Sequence, residues 1–174
     1  MAALFTIKDV SYSIQQVLSA LEDPQLQLKL DGGLAKKLDA NRKFLEHKIS
    51  QKDAVYYGIN TGFGSLCNIK IGPHELSELQ LNLVRSHACG TGPQVDPAIC
   101  KLIFLLKIIN LSKAYSGVRK SLVLHMIHLF NEGIVPVIYE QGSLGASGDL
   151  APLAHLSLML IGEGQCYFKG KMMD

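Results

Sequence analysis

Charge of either sign is scarce in excess here. Seventeen Lys and Arg stand against fifteen Asp and Glu over 174 residues, a formal net charge of +2, and charged residues make up only 18% of the chain. That balance provides no polyelectrolyte footprint, so neither nucleic acid nor an anionic membrane surface is an expected partner. Cysteine is also sparse. Cys67, Cys89, Cys100 and Cys166 form no CxxC pair, and a chain with 48% hydrophobic residues can build a core without covalent staples. Reduced thiols in a cytoplasmic setting are therefore expected. The first residues, MAALFTIKDVSY, do not join a basic segment to an apolar core as a secretory signal does. The longest apolar run, LIFLLKIINL, is interrupted by Lys107 and is too short to span a bilayer. Internal repeats and low-complexity segments are lacking as well. What is left is the composition of one soluble globular domain.

Helical periodicity dominates what is present. Residues 6–20 read as an amphipathic helix through Ile7, Val10, Ile14, Val17 and Leu18. A second helix is predicted over residues 34–49, entered through Gly32 and Gly33. A third runs from Pro73 to about Ala88, a fourth from Asp96-Pro97 to about Tyr115, and a fifth over 119–131, closed by Gly133. Pro136 makes IVPVIYEQ extended. A further helix is predicted from about Asp149 to Leu160, followed by a small hairpin or exposed connection in QCYFKGKMMD. The fourth helix is apolar nearly all round, through Ile99, Leu102, Ile103, Phe104, Leu105, Leu106, Ile108, Ile109 and Leu111. Such a helix needs partners on every side. Five or six helices barely enclose it, so neighbouring subunits or further chain are expected to complete its cover.

Two glycine-rich stretches break the helical pattern: AVYYGINTGFGSL (54–66) and GSLGASGDLAPL (142–153), the latter set directly against an apolar run. A linker would stay polar, so these glycines serve a backbone geometry inside packed structure. Neither stretch is a phosphate cradle, because no Gly-Lys-Ser/Thr triplet occurs, and GFGSLC and GTGPQV both fail GxGxxG at the last glycine. The nucleophile elbow GxSxG fails too, since Asp149 stands where its last glycine is required. His125 and His128 share a helix face but lack further ligands at metal-binding spacing, so no metal is expected. His155 reads as a satisfied buried histidine, His47 as solvent-facing and His74 as a residue near a helix start. His87, in NLVRSHACGTG, ends a helix beside Gly90 and Gly92; a structural role and a pocket-facing role are both open from the residues alone. Tyr56 and Tyr57 precede a mobile-looking loop of the kind that carries catalytic groups or closes over substrates. Phenols ordinarily ionise at about pH 10, so a tyrosine serves as a base at neutral pH only under positive potential. On the residues alone an aromatic loop anchor is the favoured reading.

Three segments taken together, YGINTGFGSL (57–66), NLVRSHACGTG (82–92) and GSLGASGDLAPL (142–153), resemble in order and wording the aromatic amino acid lyases, the family of the histidine, phenylalanine and tyrosine ammonia-lyases. The resemblance runs over nearly the whole chain, residues 1–174, and ASGDLAPL after GSLG is highly specific. It implies a mainly α fold: the helical N-terminal region of an ammonia-lyase-like structure, with glycine-rich active-site loops and little strand. It also implies that Ala146-Ser147-Gly148 cyclises autocatalytically into 4-methylidene-imidazol-5-one (MIO), an electrophile no unmodified side chain provides. Small residues suit that closure, because the Gly148 amide nitrogen must approach the Ala146 carbonyl carbon. A helix beginning at Asp149 would offer partial positive charge to the group.

By the same resemblance Tyr57 matches the loop tyrosine that removes the β-proton of the substrate, and Asn60, Gly62 and Gly64 shape and flex its loop. Ser86-His87 occupies the substrate-selecting segment and is most similar to the histidine branch, in which the histidine recognises the imidazole of the substrate. The implied reaction is non-oxidative deamination of L-histidine to urocanate and ammonia. Arg85 receives no role. Family members are longer, act on a small-molecule amino acid substrate and assemble as homotetramers whose active sites draw on three subunits. The chain is accordingly expected to be an N-terminal piece, inactive by itself and prone to associate through residues 99–111. Competing readings are a tyrosine or phenylalanine ammonia-lyase, an aminomutase, or a non-catalytic helical assembly module. The intact triplet and Tyr57 argue against the module.

Overall fold

Helices provide most of the architecture, and the sequence marks their starts clearly. The computed structural model describes residues 3–51, 55–64, 67, 69–146 and 148–174. Strand β1 (Leu4–Ile7) is followed by α1 (Ile14–Leu21), β2 (Gln27–Leu30) and α2 (Gly32–Ile49). After the first glycine-rich loop come α3 (Pro73–His87), β3 (Thr91–Gln94), α4 (Pro97–Ser112) and α5 (Lys120–Asn131). The chain then runs through β4 (Val135–Pro136), β5 (Tyr139–Gln141), α6 (Ala151–Leu160) and the hairpin of β6 (Cys166–Phe168) and β7 (Lys171–Met173). The mainly helical fold, the extended Pro136 segment and the terminal hairpin all agree with the expectations from sequence.

The first element does not. Residues 6–20 are not one helix: β1 pairs in parallel with β2, Ile7 opposite Leu30, and Ile7 is fully buried at the end of that strand. The helix begins only at Ile14, because Ser13 and Gln16 form a reciprocal cap. Ser13 Oγ accepts the Gln16 amide at 3.2 Å and Gln16 Oε1 accepts the Ser13 amide at 2.8 Å. The three-and-four spacing of Ile7 and Val10 with the later residues was coincidental. The Ser-x-x-Gln cap was the informative signal.

α4 runs through the centre. Asp96 caps it by accepting the Ala98 amide at 2.7 Å, and Pro97 fills the first turn, where a missing N–H costs nothing. Phe104, Leu105 and Ile108 are fully buried. They pack in one core with Leu34 and Leu38 of α2, Val123, Met126 and Phe130 of α5, and Leu156 of α6. Phe104 and Phe130 meet with ring centroids 5.9 Å apart. Ile99 and Leu106 stay about half exposed, at 51% and 46%, so the all-round apolar helix keeps an uncovered stripe beside the exposed Ile14 and Leu18 of α1. Asn131, at the end of α5, acts as a substitute strand residue: its Oδ1 accepts the Leu28 amide at 2.7 Å and its Nδ2 donates to the Leu28 carbonyl at 3.0 Å. No helix among the described residues is long and apolar enough to cross a membrane.

Candidate active site

The second glycine-rich stretch is closed by one carboxylate. Asp149 Oδ1 accepts the Ser143 amide at 2.8 Å, the Ser143 hydroxyl at 3.0 Å and the Ala151 amide at 3.0 Å. Ser143 Oγ in turn accepts the Leu150 amide at 3.3 Å. These bonds tie both ends of the loop that carries the Ala146-Ser147-Gly148 triplet. The bonds favour the ionised form, so the Asp149 carboxyl is held below the usual carboxylate range, chiefly by the Ser143 amide and against a smaller opposing effect of burial. Within the loop, the Gly148 amide donates to the Gly145 carbonyl at 3.0 Å and Gly148 adopts φ +93°, a conformation that favours glycine. A Cβ at Gly142 would overlap the Asp149 carboxylate, so glycine is required there. Ala146 and Gly148 are exposed; Ser147 lies outside the described residues.

α6 starts at Ala151, two residues later than expected. Leu150 at its cap position makes no side-chain bond, and Asp149 does the capping from one residue earlier through the Ala151 amide. The triplet thus precedes the helix N-terminus by the short Asp149-Leu150 connection.

His87 is the last residue of α3. Its Nδ1 lies 2.8 Å from the Leu83 carbonyl oxygen and 3.1 Å from Ser86 Oγ. A carbonyl can only accept, so His87 Nδ1 carries a proton and donates to Leu83. Among the described residues Nε2 has no partner. Ser86 Oγ donates to the same Leu83 carbonyl at 3.1 Å, which fixes the Ser-His pair against its own helix. Beyond α3, β3 pairs antiparallel with β5, Thr91 opposite Gln141, so the strand after His87 lies beside the strand that leads into the triplet. Arg85 forms a forked ion pair with Glu163, its Nε 3.1 and 3.0 Å from the two carboxylate oxygens, and ties the end of α3 to the turn after α6. Sequence reasoning left Arg85 without a role; a pairing across 78 residues has no local signature.

Tyr57 occupies a different place. The residue is 65% exposed and its ring meets Phe63 edge-on at 5.9 Å. Its neighbours Gly58 and Ile59 line a cleft of about 630 Å³ with Leu76, Gln80 and Val84 of α3 and with Ile161. Ile161 follows the C-terminal end of α6, whereas the triplet precedes its N-terminal end. The ten residues of α6 amount to roughly 15 Å of helix. No hydrogen bond, ion pair or ring contact among the described residues links Tyr57 to Ala146, Gly148 or His87. The loop itself is well built. Asn60 is 7% exposed, its Oδ1 accepts the Tyr56 amide at 2.7 Å, and its backbone carbonyl accepts the Ile71 amide at 3.0 Å. Gly62 is buried and its amide donates to the Ile69 carbonyl at 3.0 Å; Gly64 is exposed with φ +57°.

A mainly helical chain with Ala146 and Gly148 exposed on a carboxylate-closed loop, and a Ser-His pair at the end of α3, fits a narrow class of protein. The aromatic amino acid lyase family model matches residues 12–174, and the chain belongs to that family. It is similar to histidine ammonia-lyase of Streptococcus pyogenes, with 40% identity over 174 residues, which are 100% of this chain and 34% of that protein. Among solved structures it resembles histidine ammonia-lyase from Trypanosoma cruzi, with a TM-score of 0.87 and 32% identity over 99% of this chain and 33% of the other. It also resembles the Pantoea agglomerans phenylalanine aminomutase, with a TM-score of 0.86 and 30% identity over 98% and 32%. The chain spans about a third of the length of these relatives.

Proposed function

We propose that the chain is the electrophile-bearing part of a histidine ammonia-lyase, which converts L-histidine to urocanate and ammonia. The observation that carries this reading is the Ser86-His87 pair: His87 Nε2 has no partner among the described residues, and a substrate imidazole, with one donor and one acceptor nitrogen, can pair with it where a phenyl ring cannot. The triplet's small residues, the positive φ of Gly148 and the exposed, tied-down loop fit MIO formed from Ala146, Ser147 and Gly148. That group, once formed, supplies an electrophile that makes the substrate amine a better leaving group. Asp149 and Ser143 hold the loop ends, so the triplet is presented without further reorganisation. His87 orients the substrate ring and Tyr57 takes the β-proton as general base.

Gly58 and Ile59, next to Tyr57, line a cleft with Ile161 past the C-terminal end of α6, whereas the triplet precedes the N-terminal end of that helix. We therefore read the site as shared between copies, the tyrosine loop of one completing the triplet of another, in a homo-oligomer expected to be a tetramer. On that reading a single 174-residue copy lacks turnover. The protein is proposed to work in the cytoplasm. A second reading, an aminomutase or a tyrosine- or phenylalanine-specific lyase, is favoured by the near-equal structural likeness to the phenylalanine aminomutase.

The selectivity of His87 separates the two. In the full-length protein His87→Leu is expected to lower kcat/KM on histidine by roughly 10- to 100-fold, the range for a lost substrate hydrogen bond that leaves a polar group unpaired. Activity on phenylalanine and tyrosine should fall far less or rise. An equal drop on all three substrates would assign His87 to folding rather than recognition.

A further inference from the structure

The turn after His87 is held by a residue that no step above uses. His155, in the second turn of α6, accepts the Gly90 amide on Nε2 at 2.9 Å. An acceptor Nε2 requires the proton on Nδ1 and a neutral ring, and partial burial favours that form by pushing the imidazole below its ordinary range. The ring is fixed from a second side by Tyr139 of β5, edge-on at 5.1 Å, and the Tyr139 hydroxyl donates to Gln165 Oε1 at 3.2 Å. Gly90 is built to this contact: a Cβ there would lie 2.9 Å from His155 Nε2 and 3.3 Å from the Tyr139 Cβ. His155 therefore sits where three segments meet: the turn that leaves His87, the strand that leads to the triplet, and the helix that follows the triplet. A backbone amide that loses its only acceptor in such a place must move to find water or stay unpaired.

We propose that His155 is a positioning residue whose imidazole, bound to the Gly90 amide, fixes the turn after His87 against α6, the helix that follows the triplet. The functional part of this statement rests on the histidine-lyase reading; the structural part does not. Because His155 acts on the turn after His87 and not on the triplet, its loss should weaken substrate binding while MIO still forms.

The test uses the full-length protein with His155→Phe, which keeps a ring and removes the acceptor, and His155→Gln, whose side-chain oxygen can replace Nε2. Hydrogen–deuterium exchange of residues 88–92, KM and kcat for histidine, and intact mass are measured on each. For His155→Phe we expect faster exchange in 88–92 and a KM raised roughly tenfold, with kcat within about threefold and the mass deficit of the cyclised triplet retained. His155→Gln should stay within about twofold of the wild type in every readout. Unchanged exchange and KM in His155→Phe would overturn the proposal, as would equal impairment of both variants, which marks a packing role. Should His155→Phe fail to fold, exchange in the wild type decides: slow exchange at Gly90 supports the bond and fast exchange at that amide refutes it. A wild type without histidine turnover would sink the lyase reading instead, and the exchange comparison would still judge the clamp.

Discussion

Full-length protein carrying Ser147→Ala is expected to lose turnover by on the order of 1,000-fold or more, the scale seen when one member of a catalytic unit is disabled. The substitution removes the oxygen whose departure as water creates the methylidene, and it changes little else, since alanine is close to serine in volume. Ala146 and Gly148 are exposed on a loop whose ends are held by Asp149 and Ser143, so folding should be nearly unaffected. The wild-type chain should weigh less than its sequence mass by two waters, and the Ser147→Ala chain should not. Wild-type turnover in the variant would show that no MIO is used.

Tyr57→Phe should cost roughly 100- to 10,000-fold in kcat, the usual scale for removing a general base. The residue is 65% exposed and its ring touches Phe63 through its edge, contacts that phenylalanine keeps, so a large activity loss cannot be charged to stability. Circular dichroism and melting temperature should match the wild type. Retained activity within a few-fold would reduce Tyr57 to an aromatic anchor of its loop. The same variant probes the shared site. Co-expressed with Ser147→Ala, it should recover part of the activity, because mixed oligomers contain sites that pair an intact tyrosine loop with an intact triplet.

The parts of this molecule that could be read from sequence are those with local signatures. Asp96-Pro97, Pro73 and the Gly133 stop announced their helices, and Pro136 its extended segment. β1 could not be read in this way. Its four residues are a strand only because β2, some twenty residues on, lies parallel to them and because the core takes Ile7; a helical spacing can arise by chance in so short a segment. The candidate site divides along the same line. The triplet, Tyr57 and Ser86-His87 were legible as words shared with a family. The network around them was not: Asp149 with Ser143, Arg85 with Glu163, and His155 with Gly90 are pairings, side chain to side chain or side chain to backbone, that no spacing rule links. His155 was read as a satisfied buried histidine; it is satisfied but only partly buried, and its partner was invisible, since any backbone amide in the molecule could have filled that place.

We propose that the full-length protein deaminates histidine. The most direct test incubates the purified full-length protein with L-histidine, L-phenylalanine and L-tyrosine separately, and follows the ultraviolet absorbance of the conjugated acid each would yield, with ammonia measured in parallel. Urocanate and ammonia are expected to appear together from histidine, with a kcat/KM well above that for the other two amino acids. No urocanate from histidine, or faster turnover of tyrosine or phenylalanine, would contradict it.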